Sequence, residues 1–103
     1  MSDPPKTPRT LVEAPRFTKS KRRLPPAGQL AVDDAVRGIA QDPLSGEPKT
    51  GRLKGIRVVK LKVGPQQLLL AYQFDARASR IDFLDVAPHE NFYRDLQRYV
   101  EAR

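Results

Sequence analysis

Hydrophobic and polar positions along the chain divide it into seven elements. "RTLVEA", Arg9 to Ala14, is short and apolar enough for a first strand, and "PRFTKSKRRL" after it suits a helical turn or two opened by Pro15. In "PPAGQLAVDDAVRGIAQDP", Val32, Val36, Ile39 and Ala40 recur at the spacing of one helical face, with Leu30 and Ala35 beside it. Pro25 or Pro26 opens that helix and Asp42-Pro43 closes it. "LSGEPKTGRLKG" then reads as loop, from its Gly, Pro and Ser content.

Past Gly55 the period changes to two. In "IRVVKLKV", Val59, Leu61 and Val63 fall on one face, while Val58, Lys60 and Lys62 fall on the other, the pattern of a half-buried strand. Gly64-Pro65 suggests a hairpin connection into "QLLLAYQF", which is apolar enough to be a central strand covered on both faces. "DARAS" turns the chain again into "RIDFLDVA". "HENFYRDLQRYV" follows as a closing helix buried through Phe92, Leu96, Tyr99 and Val100. The order is β, α, α, β, β, β, α. Short connections between the last three strands predict an antiparallel meander, hence an α+β fold: a small antiparallel twisted sheet, N-terminal helices packed on one side, and a C-terminal helix.

Length narrows this to one domain, since the chain has 103 residues. Pro4, Pro5 and Pro8 mark residues 1–8 as a flexible basic leader, leaving 9–103 for the domain. No cysteine and a single histidine argue against disulfides and metal ligation, so neither a metal nor another cofactor is expected. No apolar run is long enough to span a bilayer and no secretory h-region opens the chain; a cytoplasmic protein with no membrane partner is expected.

The net charge of +7 points to a polyanionic partner without choosing among RNA, DNA and an acidic protein. Its layout is more informative. Residues 1–23 carry seven basic side chains against Asp3 and Glu13, whereas residues 24–46 carry Arg37 against Asp33, Asp34 and Asp42. Between Lys49 and Phe74 stand Lys49, Arg52, Lys54, Arg57, Lys60 and Lys62 with no acid. Such a run also suits the solvated face of an edge strand.

The histidine is the remaining chemical signal. In "VAPHENFY", His89 follows Pro88 and stands four residues before Tyr93, so the two would share a face if a helix began there. Either residue also has a structural reading, His89 satisfying a backbone group in a first helical turn and Tyr93 filling the core. Glu90 fits the first turn, where negative charge is favoured.

"GRLKG", the basic strand, the central strand with its tyrosine, a third strand and "HENFY" opening the last helix together resemble the RelE/ParE superfamily of bacterial toxins, over Leu11 to Val100. The most specific parts are Leu53-Lys54-Gly55 and the stretch from His89 to Tyr93. The resemblance implies a type II toxin inhibited by a cognate antitoxin whose acidic, partly disordered segment binds it directly. It also implies one of two activities. RelE-like members are ribosome-dependent endoribonucleases that cut messenger RNA and so inhibit translation; ParE-like members bind DNA gyrase and are not nucleases. Fold alone cannot choose between them.

Metal-free RNA cleavage needs a base for the 2′-hydroxyl, an acid for the leaving 5′-oxygen, and cations beside the phosphate. Histidine, with an ordinary pKa of about 6.5, suits proton transfer, and His89 matches the family position where a basic or histidine side chain serves. Tyr93 matches the late tyrosine of several nuclease members and can stack on a base. Lys60 and Lys62 complete the catalytic candidates, as cations first and proton-transfer groups second. Lys49, Arg52, Lys54 and Arg57 would line the RNA approach, with Arg77 and Arg80 in reserve. One departure stands out: many nuclease members carry an arginine on the central strand three residues before its tyrosine, where this chain has Leu69, which puts the phosphate clamp in doubt.

Overall fold

The computed structural model describes residues 9–88 and 91–102. They form strand β1 (Thr10–Glu13), helices α1 (Pro15–Arg22) and α2 (Pro26–Gln41), a two-residue strand β2 (Glu47–Pro48), and a 3₁₀ turn at Gly51–Leu53. Strands β3 (Arg57–Val63), β4 (Gln66–Asp75) and β5 (Arg80–Pro88) and helix α3 (Phe92–Glu101) follow. Pro15 and Pro26 each occupy a first helical position, where the missing N–H costs nothing.

The five strands lie in the order β1-β5-β4-β3-β2. The antiparallel meander of β3, β4 and β5 matches its sequence pattern. The sheet as a whole is mixed, however, not antiparallel, because β1 pairs parallel to β5, with Leu11 beside Ile81 and Glu13 beside Phe83. The chain leaves β1 through both helices and returns to the sheet on its far side, so the last strand reaches β1 running in the same direction.

Both faces are covered. On one, Phe17 of α1 and Val32 and Ile39 of α2 pack on Leu68, Leu70 and Tyr72 of β4 and on Ile81 and Phe83 of β5. On the other, Phe92 and Leu96 of α3 join Leu53, Ile56, Val58, Leu69, Ala71 and Leu84. β4 is thus the central strand, with residues 68–72 buried on both sides. Leu30, expected beside the apolar face of α2, is instead 65% exposed.

Two local features position the site. A bulge interrupts β4–β5 pairing, since Tyr72 pairs with Phe83 but Ala71 pairs with Asp85, leaving Leu84 as the extra residue. The bulge resets the alternation, so Ile81, Phe83 and Val86 all face the α1–α2 layer. The second feature is the loop that leads from α2 to β2. The Tyr72 hydroxyl donates to the carbonyl of Pro43 at 2.7 Å and accepts from the Gly46 N–H at 2.9 Å. Arg57 donates to the Gly46 and Leu44 carbonyls at 2.8 and 3.2 Å. A Cβ on Gly46 would lie 2.7 Å from that hydroxyl, so only glycine fits.

Candidate functional site

Pinning of this loop fixes β2, and β2 aims Lys49. Glu47 pairs with Val58, and Lys49 N–H donates to the Ile56 carbonyl at 2.9 Å. By strand alternation Glu47 and Lys49 share the face of Val58, Lys60 and Lys62, on which α3 packs. Gly55, at φ +93°, reverses the backbone between the 3₁₀ turn and β3 in a region that L side chains rarely enter.

Lys49 Nζ lies 5.0 Å from the centroid of the Tyr93 ring and 3.3 Å from Glu47 Oε1. Desolvation is the largest single influence on this ammonium and pulls its pKa down. Hydrogen bonds and charge from Tyr93 and Glu47 outweigh it, leaving the pKa above the ordinary 10.5. Lys49 is therefore held as a cation. Phe92 holds the other side of this contact, its ring edge-on to Tyr93 at 5.4 Å.

Lys60 and Lys62 are exposed on the same face and, with Leu61, Pro65 and Gln67, line a hollow of about 470 Å³ at the β3–β4 turn. Lys60 pairs across the sheet with Leu69, and Leu69 with Ala87, which places the end of β5 in the row of Lys60. Leu69 itself is fully buried beneath α3. The position at which the family resemblance led to an expected arginine is core here, and β4 itself carries no basic residue.

The other sequence candidates separate from this group. Arg57 shares the face of Tyr72, opposite Lys60, and its guanidinium is committed to loop carbonyls. Arg52 is paired with Glu101 at the C-terminal end of α3 at 3.0 Å. Lys54 caps the 3₁₀ turn and is exposed. Arg77 and Arg80 lie at the β4–β5 turn, roughly 26 Å along extended strand from the end that carries Lys62. They do not reach the hollow, because a strand the length of β4 separates its two turns.

His89 and Glu90 lie outside the described residues. The last helix, expected from the stretch that opens with His89, begins at Phe92, and its N-cap Asn91 has φ +59°. A left-handed residue cannot continue a right-handed helix, so Tyr93 stands in the first turn, where its ring lies against Lys49.

Sequence reasoning missed a buried acid. Asp85, 3% exposed, accepts from Arg16 Nε at 2.8 Å, Ser20 Oγ at 2.7 Å and the Val86 N–H at 2.8 Å. Arg16 also lies over the Tyr99 ring at 5.4 Å, which ties α1 to α3 across the end of the sheet. An acid inside the apolar stretch from Phe83 to Ala87 was the only available signal for this cluster.

A family profile described as the ParE-like toxin of type II bacterial toxin–antitoxin systems matches residues 11–97. The chain belongs to this family. Solved structures give the same fold. The free-state double-arginine mutant of Escherichia coli RelE aligns with a TM-score of 0.74 and 14% identity, over 94% of the toxin described here and 98% of that chain. A chain of the intact E. coli RelBE toxin–antitoxin complex aligns at 0.67 and 17%, over 80% and 98%. A chain of a RelBE complex from Mycobacterium tuberculosis aligns at 0.63 and 22%, over 81% and 100%. No curated protein sequence matches the toxin. No helix among its described residues is long and apolar enough to cross a membrane.

Proposed function

We propose that the toxin is a ribosome-dependent endoribonuclease that cleaves messenger RNA and thereby arrests translation and growth, and that a cognate antitoxin with an acidic, partly disordered segment restrains it. The observation that carries this reading is the shared face: Lys49 held over Tyr93, with Lys60 and Lys62 on the same side of the sheet. In this reading the lysines offset charge that builds on the phosphate, while Tyr93 provides an aromatic surface for a base. His89 supplies proton transfer. Lys49, held protonated, serves as a fixed positive charge and not as the base. The antitoxin's acidic segment would cover the surface from Lys49 to Lys62.

One observation favours a second reading, a gyrase-binding toxin without nuclease activity. Leu69 fills the core where nuclease relatives place an arginine, and a protein-binding poison has no need of a phosphate clamp. Expressing the wild type beside His89→Ala and Lys60→Ala/Lys62→Ala, then mapping transcript ends within codons, separates the two. Codon-positioned cleavage lost in both variants supports the nuclease. Growth arrest with intact transcripts and a DNA-damage response supports gyrase.

A further inference from the structure

A single-stranded RNA bent at a scissile bond carries phosphates on both sides of it, and the Lys60–Lys62 hollow lies on only one side of the end of β5. Two further hollows lie on the other side. One, of about 480 Å³, opens between α1 and α3 and is lined by Pro15, Arg16, Lys19, Ser20, Arg23 and Tyr99. The other, of about 430 Å³, shares Ser20 and Arg23 and runs on to Gln66, Ala87 and Pro88. Arg23 therefore lines both hollows, the second of which extends to Pro88, the last residue of β5.

The side chains of the first hollow fall into two groups. Arg16 and Ser20 are held by the buried Asp85 carboxylate, with the Arg16 guanidinium against the Tyr99 ring. They form a fixed wall whose arginine is neutralised by its partner. Lys19 and Arg23 are exposed, and neither is in an ion pair or a side-chain hydrogen bond among the described residues. Four apart, they project from the same side of α1's end. Cations at a helix C-terminus gain something from the macrodipole, but the dipole does not require that they flank a polar hollow beside an aromatic ring.

We infer that Lys19 and Arg23 form a second phosphate-binding station, which grips the RNA backbone on the α1 side of the end of β5 and supplies the clamp that Leu69 cannot. The inference rests on the RNA-directed reading above. Phosphate contacts of this kind set register and orientation without reading sequence. An acidic protein segment would find charge here too. What favours RNA is the division of cations between two flanks of one strand end, which is what a continuous backbone needs on either side of its reacting phosphate.

The test measures binding of a short, 2′-O-methylated single-stranded RNA by the full chain as a function of salt. Each single-strand phosphate contact contributes about 0.7 to the slope of log K against log salt. Lys19→Ala/Arg23→Ala should flatten that slope by about 1.4 and weaken binding about tenfold at low salt, while Arg37→Ala, a lost charge on α2, changes neither slope nor affinity to that extent. Both targets are exposed, so an unchanged melting curve will accompany the loss. An unchanged slope overturns the inference, as does intact RNA binding with lost affinity for polyglutamate. Wild-type transcript cleavage measured in parallel separates the two claims. If the wild type cuts and the α1 variant binds and cuts normally, the station alone fails; if the wild type never cuts but the slope still falls, the station stands and the nuclease reading fails.

Discussion

Lys49 Nζ stands 5.0 Å from the centre of the Tyr93 ring, joining the residue that follows the shortest strand of the sheet to the first turn of the last helix. The contact brings together residues that sequence reading placed in separate groups, Lys49 among approach cations and Tyr93 beside His89. It also gives the lysine a defined task. Removing its charge as Lys49→Met should lower transcript cleavage at least tenfold, whereas Lys49→Arg, which retains a cation over the ring, should stay within a few-fold of wild type. Quantified cleavage in matched expression cultures checks this.

The direction of the Lys49 pKa makes a separate prediction. Because folding raises it above 10.5, the protonated form is favoured in the native state. Its contribution to stability is then complete below 10.5 and is lost only as pH rises through the higher folded value. Across the neutral range, neither stability nor the cleavage rate should carry a titration that disappears in Lys49→Arg. A neutral-range step present in wild type and absent from Lys49→Arg would assign proton transfer to this lysine.

Tyr72 illustrates what the sequence showed and what it hid. Its place in a doubly covered central strand was legible, because "LLLAY" is an apolar run bounded by turn signals. The role of its hydroxyl was not, since Pro43 and Gly46 are distant in sequence and become neighbours only when the loop folds back. Tyr72→Phe would leave a buried N–H and a buried carbonyl without that partner, costing about 1–3 kcal/mol, and Gly46→Ala should cost a similar amount by collision. Urea denaturation measures both, and because the loop aims Lys49, cleavage should fall as well.

The same limit applies elsewhere. Periodicity placed Lys60 and Lys62 on one face correctly, because alternation in an uninterrupted strand is a local property. Strict alternation does not carry through β5, where the Leu84 bulge resets the parity, and the closing helix starts later than its pattern suggests, at Phe92 after left-handed Asn91. Parallel pairing of β1 with β5 depends on where the chain travels between them, and a four-residue strand carries no mark of its partner. Arg57 was named for its charge, but its carbonyl partners lie in a loop whose path was unknown.

Asp85 links α1 to the end of β5 through Arg16 and Ser20. Asp85→Ala removes the acceptor for both and leaves a partly buried guanidinium uncompensated, at a cost of about 3 kcal/mol. Arg16→Ala should cost less, because Arg16 is 37% exposed and water can reach the carboxylate when it leaves. Thermal unfolding of the two variants should therefore rank Asp85→Ala below Arg16→Ala. The reverse order would mean that the Arg16 contact with Tyr99 outweighs its ion pair.

Leu69 poses the sharpest choice between a position defined by family pattern and one defined by packing. If the site merely lacked a clamp, Leu69→Arg would restore one and raise cleavage. The leucine is fully buried, however, among Phe92, Leu96 and Ala71, with β3 on one side and β5 on the other. A guanidinium there would be desolvated without an acid in the surrounding cluster, and its extra volume would have to push α3 from the sheet. Leu69→Arg should then lose at least about 3 kcal/mol of stability and reduce cleavage, while Leu69→Met, which conserves volume, stays near wild type in both. A stable Leu69→Arg toxin with increased cleavage would show that α3 yields readily, and that the α3-facing core at this point is an open half of the site.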